Sequence, residues 1–70
     1  MPYVNIKITK ENEPISSDQK AEIIKGVTDL LYKVINRGPS TTVVVIDEVS
    51  MDNYGIGGEP VTVIRNKIKP

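Results

Sequence analysis

The chain contains neither cysteine nor histidine. That double absence removes disulfides, thiolate nucleophiles, the usual zinc ligand sets and imidazole acid–base chemistry together, so neither a metal nor a cofactor is expected. An excess of charge is missing too. Nine Lys and Arg residues balance nine Asp and Glu, and no block of like charge occurs, so the electrostatic footprint of a nucleic-acid or anionic-membrane partner is absent. No apolar run approaches the roughly 18 residues of a membrane span. The N-terminus lacks a basic stretch followed by an apolar one, and a soluble, cytoplasmic protein is expected. What remains is 70 residues, read as a single domain over 1–70 and short enough to bury only a modest share of its surface. Domains of this size often need a staple; with disulfide and metal excluded, self-association is the one left.

Tyr3 to Thr9 alternates, with Val4, Ile6 and Ile8 pointing one way and Asn5, Lys7 and Thr9 the other. This period of two predicts a strand with one apolar face. Lys10 to Ile15, "KENEPI", is charged and contains proline, so it reads as a surface loop. Ser16 followed by Gln19 has the form of a capping box, and Asp18 suits the first turn of a helix. Ile23, Ile24, Val27, Leu30, Leu31, Val34 and Ile35 then recur at spacings of three and four, as one apolar helix face requires. Gly38 is expected to cap that helix in the left-handed conformation, with Pro39 barring continuation. The β-branched run from Val43 to Ile46 suits a strand covered on both faces. Strand, helix and strand make a βαβ unit with parallel strands. Its one helix covers one face of the sheet, so the other is expected to be covered by another subunit. Gly55 to Gly58 reads as a tight hairpin, followed by a short extended tail through Val61 to Ile64. The expected class is therefore α/β (α+β): one βαβ unit plus a short C-terminal hairpin, completed by oligomerisation.

Without histidine or cysteine, the ionisable candidates are carboxylates, lysines, arginines, tyrosines and the amino terminus. Pro2 has two readings. Lacking an amide N–H, it is suited to the first position of a strand. Alternatively, aminopeptidase removal of Met1 leaves Pro2 as a secondary amine fixed to a rigid strand, able to act as acid, base or nucleophile. Asp47 and Glu48 are neighbours on a strand and point to opposite faces, which argues against an acid–base pair. The glycine-rich "YGIGGE" lacks both the GxGxxG spacing and the lysine of a phosphate-binding loop.

Pro2 on an alternating strand, the helix containing "SDQK", the valine-rich strand and "YGIGG" together resemble the 4-oxalocrotonate tautomerase family over nearly the whole chain. The resemblance implies a tautomerase-like βαβ fold whose subunits form dimers that usually assemble to hexamers. It also implies that the mature N-terminal Pro2 is the catalytic base. Its amine would move a proton along a conjugated system, acting on a small enolisable 2-oxo acid or 2-hydroxydienoate. A free α-amine titrates at about 8, and an apolar pocket near cations lowers that value, leaving a neutral base at working pH. Tyr54 matches the family's active-site aromatic, and Ile56 would line the same pocket. The best-known members place arginines where this chain has Ile15 and Val43, and the loop before the helix is longer here. Lys10, or Arg65 and Lys67 of a neighbouring subunit's tail, are the candidates to supply the missing positive charge. Two other functions fit the same residues: a Pro2-dependent decarboxylase or hydratase, and a non-catalytic oligomer that binds a small ligand or a protein.

Overall fold

A computed structural model of the chain describes residues 1–68. Strand β1 (Tyr3–Thr9) is followed by helix α1 (Ser17–Ile35) and strand β2 (Val43–Val49). A 3₁₀ turn (Met51–Asn53), the two-residue strands β3 (Gly55–Ile56) and β4 (Glu59–Pro60), and helix α2 (Val61–Ile68) complete it. β1 and β2 form one two-stranded sheet, β3 and β4 another. The Val43 N–H donates to the Pro2 carbonyl at the start of β1 (2.9 Å), and the Lys10 N–H donates to the Val49 carbonyl at its end (2.7 Å). Both strands therefore run the same way, as a βαβ crossover demands. The expected βαβ unit with parallel strands and a short C-terminal hairpin is what the structure shows.

By contact density the chain falls into two compact units: Met1–Ile6 with Ile15–Asp47, and Lys7–Pro14 with the segment from Glu48 onward. In the first unit, α1 begins with the expected capping box. The Ser16 Oγ accepts from the Gln19 N–H (3.1 Å), and the Gln19 side chain accepts from the Ser16 N–H (3.0 Å). At the other end the cap differs from expectation. Asn36, not Gly38, takes the left-handed conformation (φ 55°), and its N–H donates to the Tyr32 carbonyl. Asparagine tolerates that region better than other side-chain-bearing residues, so the left-handed cap falls two residues before the glycine.

The apolar face of α1 is also less covered than its pattern suggests. Ile23, Val27 and Leu31 are half-buried, whereas Leu30 is 58% and Val34 69% exposed, and Ile24 and Ile35 are exposed as well. At roughly 100° per residue the seven apolar positions span an arc wider than a two-stranded sheet can cover, so its centre is shielded and its margins are open. Val4, Ile6 and Ile8 of β1 and Val44 and Ile46 of β2 are half-buried, as are Thr9 and residues 47–49 at the strand ends; Val43 and Val45 on the opposite face of β2 are exposed.

The second unit is built around the hairpin. Gly57 (φ 62°) and Gly58 (φ 88°) both sit at positive φ between Ile56 and its partner Glu59. A two-residue loop with both φ values positive needs this chemistry, which accounts for the glycine run. The expected extended tail is corrected: Val61–Ile68 is a helix. Val61 is buried and Ile64 half-buried, three residues apart, while Val63 is 42% exposed. The alternation of Val61 and Val63 mimics a strand, yet the residues that turn inward follow the helical spacing. Arg65 and Lys67 lie in the last turn, where cations favour a helix. Among the described residues, no helix is long and apolar enough to cross a membrane.

Candidate active site

Pro2 stands immediately before β1, and its carbonyl is the first acceptor of the ladder through Val43. The residue thus fills the strand-start role that a missing N–H permits, and its nitrogen takes no part in the sheet. It lines a hollow of about 310 Å³ with Met1, Ile35 and Arg37. The left-handed turn at Asn36 follows directly on the last residue of α1 and leads the chain into Arg37, so one helix end supplies both the apolar and the cationic wall.

Tyr54 belongs to the second unit, and its backbone is tied at both ends. Its N–H donates to the Met51 carbonyl (3.3 Å), and its own carbonyl accepts from the Val61 N–H (2.8 Å). The 3₁₀ turn before it is capped by the Ser50 Oγ, which accepts from the Asp52 N–H (3.3 Å), and is tied to α2 by Thr62 Oγ1, which donates to Asp52 Oδ1 (2.5 Å). Tyr54 and Ile56 line a hollow of about 440 Å³ with residues 7–9 of β1 and with Val61, Ile64 and Arg65 of α2. Most of this wall is apolar, with Lys7 and Arg65 contributing the cations.

Arg65 does not stand alone. Its Nη1 donates to Glu11 Oε1, and Thr9 Oγ1 donates to Glu11 Oε2 (2.5 Å). The Arg65 contact first, and then that of Thr9, holds the Glu11 carboxyl below its ordinary range, because both favour the anion. Lys67 is turned away to Glu59 (2.5 Å). Lys10 lines another hollow, with Glu11, Asn12, Ser50, Met51 and Asp52.

Of the residues singled out from sequence, Tyr54, Ile56 and Arg65 are thus gathered around one hollow, while Pro2 and Lys10 each line a different one. Lys7, Thr9 and Glu11 were not singled out. The strand alternation placed Lys7 and Thr9 on the polar side of β1, and nothing in it revealed that the strand ends against a cleft. Among the described residues, no cluster of acidic side chains could hold a metal ion.

Comparison with known proteins agrees over almost the whole length. A family model described as tautomerase enzyme matches residues 2–64. Probable tautomerase K2 of Dickeya dadantii is 55% identical over 62 residues, covering 89% of this chain and 90% of that protein. The crystal structure of DmpI from Helicobacter pylori superposes with a TM-score of 0.86 at 46% identity, over 93% of this chain and 97% of that one. That of YwhB, a homologue of 4-oxalocrotonate tautomerase, does so with a TM-score of 0.73 at 26% identity, over 87% and 95%.

Proposed function

The chain belongs to the 4-oxalocrotonate tautomerase family, and from that premise we propose that it is a keto–enol tautomerase whose base is the Pro2 amine, exposed by removal of Met1. The observation that carries this reading is the placement of Pro2. Its carbonyl is pinned by Val43, its nitrogen takes no part in the sheet, and the residue lines a hollow with Met1, Ile35 and Arg37. An apolar wall and a neighbouring guanidinium both disfavour the ammonium form, so the free amine is available to accept a proton.

The substrate proposed is a 2-hydroxydienoate or a related 2-oxo acid. The neutral amine takes the proton from the 2-hydroxyl group, the electrons shift along the conjugated system, and the resulting ammonium returns the proton to carbon. Atoms and charge balance without any co-reactant. Tyr54 and Ile56 supply the apolar wall that excludes water from the dienol.

Pro2 and Tyr54 line different hollows of a single chain. The reading includes a homo-oligomer, a dimer or a hexamer. The exposed margins of α1 and the open face of β2 support it.

The test exploits the chemistry of the Met1–Pro2 bond. While Met1 is retained, the Pro2 nitrogen is an amide and has no basicity. Protein sorted by intact mass into Met1-processed and Met1-retained forms should differ in kcat on 2-hydroxy-2,4-pentadienoate by roughly 10²–10⁴-fold, the usual contribution of a general base. Equal turnover by the two forms, or unchanged turnover in Pro2→Ala, refutes the assignment.

A further inference from the structure

The substrate proposed above carries a carboxylate. A carboxylate entering an apolar hollow without a cationic partner is strongly disfavoured, so a cationic group has to meet it. The structure offers one with its support already in place. Arg65 lines the Tyr54 hollow, and the loop between β1 and α1 carries Glu11, which accepts from the Arg65 guanidinium. Glu11 is itself held by Thr9, which lines the same hollow.

We infer that Arg65 binds the substrate carboxylate and that Glu11, anchored by Thr9, is the positioning residue that aims the guanidinium at the hollow. This rests on the proposed tautomerase reading and adds to it the residue that selects for a carboxylate. An arginine side chain has many rotamers, and fixing it before the substrate arrives lowers the entropic cost of binding. A guanidinium carries five N–H donors. The contact with Glu11 is made through Nη1, so a substrate carboxylate can take donors that Glu11 leaves unused. The pair is half-exposed, 47% for Arg65 and 42% for Glu11. Its contribution to fold stability is accordingly small, and its removal reads out on binding rather than on folding.

The mirror-image role for Glu11 is that of an internal competitor, a carboxylate already seated where the substrate's should go. The Thr9 hydrogen bond favours positioning, because it holds Glu11 at the strand end and thereby fixes where the guanidinium points. The two roles give opposite signs on substitution.

The experiment uses full-length, Met1-processed protein and both 2-hydroxy-2,4-pentadienoate and 2-hydroxymuconate. Arg65→Ala should raise KM for both by roughly tenfold or more, the usual scale for a lost charge-assisted hydrogen bond, with kcat changed by less than about threefold. Arg65→Lys should recover part of the loss. Glu11→Gln should raise KM by a few-fold, and Thr9→Val should act in the same direction. Unchanged KM in Arg65→Ala overturns the inference, and so does a lowered KM in Glu11→Gln. Pro2→Ala run alongside keeps the two readings apart. If Pro2→Ala loses turnover while Arg65→Ala binds normally, the carboxylate assignment fails and the catalytic one stands. If Pro2→Ala turns over normally, the catalytic reading fails first.

Discussion

If Pro2 is the base, as proposed, one side chain, Arg37, bears on the pH at which it works. Arg37 is the charged side chain, among the described residues, that lines the hollow containing Pro2, and a cation there disfavours protonation of the processed amine. A base must be deprotonated to work, so kcat/KM should rise with pH through the pKa of that amine. Removing the cation raises this pKa. Arg37→Ala should therefore shift the acid limb of the pH–rate profile to higher pH, Arg37→Lys should leave it nearly in place, and an unmoved limb in Arg37→Ala would show that the guanidinium does not act on Pro2. Two other single residues carry stability rather than chemistry. Ser16→Ala removes one half of the capping box and should cost about 1 kcal/mol in chemical denaturation. Beyond its chain neighbours and the backbone of its own helix, Gly26 has no atom within 4 Å of where a Cβ would stand. Gly26→Ala should thus add about 1 kcal/mol through helix propensity alone. A loss instead of a gain would mean that a second copy packs closely against that turn of α1.

At the scale of elements, what could be read from sequence and what could not divide on a physical line. β1 and the start of α1 were readable to the residue, because strict alternation from Tyr3 to Thr9 and the Ser16–Gln19 box are local signals that tertiary packing had no reason to override. The hairpin was readable because Gly57 and Gly58 are what a loop with two positive φ values requires. α2 was not, since Val61, Thr62, Val63 and Ile64 include three β-branched aliphatic residues whose alternation suits a strand. Here the contacts of Val61 and Ile64 prevail over propensity, which is weak in so short a segment. Of the candidate site, Pro2, Tyr54 and Ile56 were visible through the motif, whereas the Glu11–Arg65 pair joins residues far apart in the chain and left no mark in local sequence. The helix has a direct test. If α2 forms as described, Ile64→Ala should cost about 1–2 kcal/mol and Val63→Ala less than about 0.5 kcal/mol, the difference following their burial. A strand-like tail would make Val61 and Val63 the sensitive pair. Equal losses at Val61 and Val63, with none at Ile64, would restore the extended reading.

The whole molecule has an uneven account of apolar burial. Val61 is the one buried apolar residue among those described, while Leu30, Val34 and Tyr3 stay more than half exposed. With no cysteine in the sequence to form a disulfide, burial between copies is what the proposed oligomer would add to the stability of the fold. The open positions are not scattered. Leu30, Val34 and Ile35 lie along the margin and last turn of α1, and Val43 and Val45 lie on one face of β2. A second copy is the partner that the family reading supplies, and association would couple folding to concentration. Raising the protomer concentration tenfold should therefore raise Tm measurably, because mass action stabilises a folded oligomer against unfolded monomers. Val45→Asp would place a carboxylate on the face to be covered, where an unpaired charge is costly. This variant should dissociate and lose cooperative unfolding together. Val63→Asp, on an exposed position of α2, provides the comparison for a charge added elsewhere. Sedimentation of the wild-type protein as a folded monomer at micromolar concentration, with a Tm independent of concentration, would show that the chain is stable without the partner that its exposed faces call for.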